Sequence, residues 1–225
     1  MFETSSAWKT TYPGASVGVL VMSGVTNPQH HPGLLERKKQ LEQALRARYA
    51  SHDRAGLKTL PVLAAYGAYY KQFKKTYHVQ HQLESIVFKQ RDISSVAALI
   101  EAMFMAELKN LLLTAGHDLN RVDPPLRIDV SQGTESYIRM NGEQQVAKER
   151  DMMIVDNAGI LSSILYGPDR RTRIKPQTER VIFTVYAPPG IEEKDVQEHL
   201  GDIQENVNII APQASVELLQ TFGTS

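Results

Sequence analysis

The apolar positions change their period once along the chain, near residue 120, from helical to strand-like. The pattern around which the rest is organised covers residues 93–118, ISSVAALIEAMFMAELKNLLLTAGHD. Val96, Leu99, Ile100, Met103 and Phe104 recur at three- and four-residue spacing, which predicts a helix with one apolar stripe, and Ser94 or Ser95 is placed to cap it. The contiguous Leu111, Leu112 and Leu113 predict that this helix runs into a buried extended segment and then a turn at Gly116. Upstream, the Val-rich residues 16–23 between Gly14 and Gly24 predict a buried strand. Residues 34–49 predict a charged amphipathic helix, residues 51–59 a polar loop, and residues 79–88 a further helix. Another helix is expected to start at Pro61, since proline suits the first turn. Its Tyr66, Tyr69, Tyr70 and Phe73 are expected to pack inward.

Past Pro124-Pro125 the runs become short and rich in Val and Ile, with strands predicted over 126–130, 136–140, 152–155, 160–165 and 181–187. Asn141-Gly142 predicts a hairpin between two of these strands, residues 156–159 a second tight turn, and residues 192–207 a final helix. Helices first and consecutive strands later imply an α+β layered fold, mostly antiparallel sheet flanked by helices. The expectation is a single domain over residues 1–225, with its central helix on a sheet built mostly after residue 126.

Composition narrows the chemistry. There is no cysteine, which excludes disulfides, thiolate metal sites and cysteine nucleophiles, and suits a reducing cytoplasm. No apolar run has the length of a membrane span and no secretory h-region is visible, so a cytoplasmic protein without a membrane partner is expected. Lys plus Arg and Asp plus Glu are 25 each, so nucleic-acid binding would depend on local patches. Nucleotide-binding glycine loops, zinc-protease and serine-elbow motifs are absent, and His30-His31 lacks a matched third ligand. No cofactor or metal is therefore expected, and nothing in the sequence sets the oligomeric state.

Two polar groups remain. His117 and Asp118 follow Gly116, and Asp156, Ser162, Ser163, Tyr166, Asp169, Arg170, Arg171, Thr172 and Arg173 crowd the strand-rich half. Arginine suits carboxylate or phosphate recognition, and Lys71, Lys74 and Lys75 interleave with the rings of the second helix. Simpler roles are a cap on residues 119–122 for Asp118, a solvent-facing His117, and surface arginines.

Several short elements then fall in a familiar order: Tyr70-Lys71 with Phe73, Glu84, Arg91-Asp92-Ile93, Gly116-His117-Asp118-Leu119, the strand DMMIVD at 151–156, and Thr172-Arg173-Ile174 with Thr178. Over residues 66–188 the chain resembles the B3/B4 domain of the bacterial phenylalanyl-tRNA synthetase β subunit, and in particular its stand-alone relatives. The resemblance implies a layered β/β/α domain with a pocket between helix and sheet, and an activity that hydrolyses tyrosine wrongly esterified to phenylalanine tRNA. The sequence departs from the family pattern at Phe104, where an Asn is expected, and at Thr184 and Asn120, near the family's editing glutamate and histidine.

An aminoacyl ester is already activated, so such a site must hold the ammonium, polarise the carbonyl and position water. The resulting expectation assigns His117, Asp118 and Ser163 to catalysis, and Glu101, Asp156, Ser162 and Thr172 to substrate binding. Lys71, Lys74, Lys75, Arg170 and Arg171 would meet tRNA phosphates. His117, Asp118 and Ser163 should converge on one cavity with Glu101 in its wall. Two functions follow: a free-standing deacylase of misacylated aminoacyl-tRNA, or a non-catalytic module binding tRNA or a small amino-acid-like ligand.

Overall fold

The computed structural model describes residues 2–224 and has the predicted α+β layering, with two main sheets and a layer of helices. One sheet has four strands in the order β11 (Ser215–Gly223), β2 (Ser16–Ser23), β10 (Arg180–Ala187) and β3 (Thr114–Asp118), all antiparallel. β2 is the predicted Val-rich strand, buried along nearly its whole length because it is covered on both faces. Helix α7 (Glu193–Ile210) lies against it so closely that a Cβ on Gly18 would sit 2.5 Å from a Val196 methyl.

The other sheet has five strands, ordered β1 (Phe2–Thr4), β4 (Leu126–Val130), β7 (Met152–Asp156), β8 (Gly159–Ser163) and β9 (Gly167–Pro168). β1 pairs with β4 in parallel and the rest are antiparallel. Side chains alternate across β7: Met152 and Ile154 join the main core, while Met153 and Val155 pack with Tyr137 and Ile160 in a second cluster. Tyr137 belongs to a separate hairpin of β5 (Ser136–Ile138) and β6 (Gln144–Val146). Asn141-Gly142 does turn a hairpin, but its second strand is β6, which is too short and polar to register as an apolar run.

Helices α1 (Ser6–Thr11), α2 (Pro32–Arg48), α4 (Pro61–Gln72), α5 (His78–Lys89) and α6 (Ala98–Asn110) complete the layering. The stretch 51–59, expected as loop, contains α3 (Arg54–Lys58), capped by Asp53, whose carboxylate accepts from the Gly56 amide at 2.7 Å. α4 tethers both sheets through its tyrosines. Tyr66 donates to the Tyr186 carbonyl, Tyr69 to Asp151 at 2.7 Å, and Tyr70 to the Ile164 carbonyl at 2.8 Å. Their inward packing follows from these bonds as well as from ring burial.

The central segment departs from expectation in four ways. α6 begins at Ala98, not near Ser94; the Asn27 side chain and the Pro28 carbonyl bond its first amides, while Ser95 accepts from Lys38. It is buried around most of its circumference, against α2, α5, α7 and β3, because Ala102 and Ala106 let neighbours approach where a solvent face was expected. The sheet it contacts is also divided in sequence, since β2 and β3 precede residue 126 while β10 and β11 follow it. Finally, Gly116 lies inside β3 and makes no turn. A Cβ there would stand 3.0 Å from Ile174, 3.2 Å from Phe183 and 3.3 Å from the Met103 sulfur, so this glycine serves close packing. Among the described residues no helix is long and apolar enough to cross a membrane.

Candidate functional site

β3 and β8 face one another across the gap between the sheets, and their side chains form a buried polar chain. His117 is fully buried, with Nδ1 2.7 Å from the Thr172 hydroxyl and Nε2 3.3 Å from the Ser162 hydroxyl. Ser162 in turn lies 2.6 Å from the Tyr186 hydroxyl. Thr172 donates to Asp169, which also accepts from the Thr172 amide at 3.1 Å and meets Arg171 at 3.3 Å. With the threonine proton committed to that carboxylate, His117 must donate from Nδ1 and accept from Ser162 at Nε2. Burial pushes its pKa down to about 3, and the Arg171 cation adds to this, so the ring is neutral.

A serine, a histidine and an aspartate are thus aligned, but Ser162 is as inaccessible as His117 and its hydroxyl faces Tyr186, not open space. The arrangement has the connectivity of a nucleophilic triad without a nucleophile that a substrate can reach.

The other expected site residues have equally specific partners. Asp118 caps the turn Leu119–Arg121, accepting from the Asn120 amide at 3.1 Å and from Thr178 at 3.0 Å. Asp156 takes both terminal nitrogens of Arg171 at 2.9 Å and the amides of Asp123 and Ala158. Arg171 is therefore spent on structure. Glu101 forms a buried ion pair with Lys38, joining α6 to α2. Lys71, Lys74 and Arg170 are exposed, and Lys75 sits over the Tyr166 ring at 4.6 Å from its centre.

A cavity of about 560 Å³ opens on the other side of β8, between α6, β3 and the β8–β9 turn. Of the expected catalytic and substrate-binding residues, Ser163 alone lines it; His117, Asp118 and Glu101 do not. The expected convergence fails because neighbouring residues of a strand point to opposite faces, sending Ser162 inward to His117 and Ser163 outward. The Ser163 hydroxyl lies 3.4 Å from that of Tyr137, accepts from the Tyr166 amide at 3.3 Å, and neighbours the buried Asp151 carboxylate.

The cavity's own chemistry comes from residues outside that set. Ile100, Met103, Phe104 and Glu107 of α6 all face it, at helical spacing. Arg139 and Arg173 also line it, and neither guanidinium has an ion pair or side-chain hydrogen bond among the described residues. Tyr166, carrying Lys75 above it, lines the same cavity. Glu107 was legible as the one acid continuing the apolar 100–103–104 row. Arg139 lay in a predicted strand with nothing to distinguish it. A second cleft of about 490 Å³ between α5 and α6 adjoins the first, sharing His78, Gln82 and Phe104.

No family profile and no curated protein sequence matches the chain. In structure, it is similar to an N-terminal fragment of the phenylalanyl-tRNA synthetase β subunit from Pyrococcus horikoshii, with a TM-score of 0.50 and 11% sequence identity. That match covers 96% of this chain but 50% of the fragment, so the chain spans about half the fragment's length. At this identity the likeness defines the class of fold, a layered α/β arrangement of the synthetase β-subunit kind.

Proposed function

We propose that the protein is a B3/B4-type module that receives the aminoacyl end of a tRNA in the cavity between α6 and the β8–β9 turn. The observation that carries this is that one cavity is lined both by an apolar surface from α6 and by two guanidinium groups without an ion pair among the described residues. Ile100, Met103 and Phe104 give a surface for an amino-acid side chain, and Arg139 and Arg173 suit the phosphates next to the ester. Lys75 and the exposed Lys71, Lys74 and Arg170 extend this basic character along the chain. The shared fold with a synthetase β-subunit fragment supports the same reading.

Hydrolysis at this site would use water as the nucleophile, because an aminoacyl ester is already activated and needs no protein nucleophile. Incubating the protein with a panel of aminoacyl-tRNAs, scoring ester loss and filter binding against uncharged tRNA, tests the proposal. Ester loss that depends on the amino acid supports a deacylase. Preferential binding of charged tRNA with an intact ester supports a binding module. Absence of both overturns the tRNA reading. A second ligand class, a free amino-acid-like molecule, is favoured by the balanced charge of 25 against 25, which gives no global attraction to RNA.

A further inference from the structure

Glu107 differs from the other acids near the sheets. It is 2% exposed, and among the described residues it is the only carboxylate on the lining of the 560 Å³ cavity. One oxygen accepts from the Thr114 amide at 3.0 Å. The other has no protein partner, yet it is not sealed into the interior. Among the described residues no lysine, arginine or histidine comes within ion-pair distance, whereas Glu101 has Lys38, and Asp156 and Asp169 share Arg171.

The groups around it leave its charge uncompensated. Tyr66 and Tyr70 face it from α4 and Tyr77 from the start of α5, but their hydroxyls donate to the carbonyls of Tyr186, Ile164 and Leu111. His78 of α5, Tyr186 of β10, Arg139 and Arg173 also line the cavity. Burial pushes the Glu107 pKa up to about 8, with the Thr114 amide opposing only in part, so the side chain is mainly a neutral acid at pH 7.

A half-bonded, buried carboxyl among apolar side chains lacks one thing, a counter-charge. We propose that Glu107 is the cation-recognition group of this cavity, pairing with the primary ammonium of an incoming ligand and releasing its own proton to solvent. The exchange balances: a carboxylic acid and an ammonium become a carboxylate–ammonium pair plus one free proton. The ligand class is a primary amine on an apolar body, since Ile100, Met103 and Phe104 flank the acid. This rests on the reading of the cavity as a ligand site and adds which chemical group is recognised there.

Phenethylamine, which stays protonated across the pH range used, and its neutral counterpart 2-phenylethanol serve as probes. Calorimetric titration at pH 7 in two buffers of different ionisation enthalpy counts protons. Amine binding should release most of a proton at pH 7 and almost none at pH 9. The alcohol should bind at least about tenfold more weakly and release none. Glu107→Gln, which keeps an acceptor for the Thr114 amide, should melt no lower than the parent and bind both probes alike without proton release. Equal affinity of the parent for both probes, amine binding without a proton, or no binding of either probe would overturn the proposal. Aminoacyl-tRNA binding by the same preparation tests the broader function separately, so the two failures are distinguishable.

Discussion

The two faces of β8 hold polar groups of similar composition in opposite states. Toward the sheet interface, Asp169, Thr172, His117, Ser162 and Tyr186 are buried and each is bonded to the next. Toward the cavity, Glu107 keeps an unpaired oxygen, and Arg139 and Arg173 have no partners among the described residues. The first set resembles catalytic machinery by residue type and the second does not, yet only the second can act on anything from outside. A saturated buried network is already stabilised by its own bonds, and breaking it leaves desolvated groups unpaired. An unsaturated group beside open volume costs stability in the free protein and regains it when a ligand arrives. Bonding capacity left over therefore locates the candidate site better than residue identity does.

This contrast can be broken most directly at His117. His117→Ala removes the partner of both Thr172 and Ser162 and leaves a void, so unfolding free energy should fall by about 3 kcal/mol in urea denaturation. A variant as stable as the parent would show that the interior chain is not structural.

The next effect is on pH dependence, where the interior histidines and Glu107 have opposite signs. Interior His117 and His199 have pKa values pushed down to about 3 and about 4, against 6.5 ordinarily, mainly by burial. The unfolded chain binds their protons first, so stability present above pH 6.5 is lost as pH falls toward 3. Glu107 runs the other way, from 4.5 up to about 8. Its folded form keeps a proton that the unfolded form releases, so stability present below pH 4.5 is lost as pH rises toward 8. The limiting slope is about 1.4 kcal/mol per pH unit for one group. Glu107→Gln should thus gain stability over the parent between pH 6 and 8, and lose that advantage near pH 4. An advantage that does not change with pH would mean Glu107 does not titrate in that range.

Arg139→Ala and Arg173→Ala should leave stability within about 0.5 kcal/mol of the parent, because neither side chain is bonded. If the proposed tRNA contact is real, each should lower the salt dependence of filter binding by about one unit. The exposed Arg170 should have the same property, whereas Arg171→Ala should act on stability through Asp156 and Asp169.

The smallest effect should come from Asp118→Asn. The amide retains an acceptor for the Asn120 amide and loses only the bond from Thr178, so a loss of about 1 kcal/mol is expected in thermal melts. Ligand binding should not move, since Asp118 is off the cavity lining. A change in binding without a change in melting would return Asp118 to the site.

Much of the architecture could be read from one-dimensional pattern. The Val-rich β2, the proline-started α4, the 160-region turn and the alternating runs past residue 126 depend on local propensity and periodicity, which the chain displays directly. Strands β1, β6, β9 and β11 did not show, being short or polar and stabilised by pairing with distant partners. Gly116 illustrates the limit: its sequence context predicts a turn, but only the approach of Met103, Ile174 and Phe183 reveals a strand position with no room for a side chain. The polar residues follow the same division. Sequence alone determined that His117, Ser162, Thr172 and Asp169 were available, and that Glu107 continued the apolar row of α6. Which were already bonded to each other, and which faced unfilled space, was decided by strands brought together from across the chain. Hydrogen-bond saturation is a property of those long-range contacts and has no signature in composition or spacing.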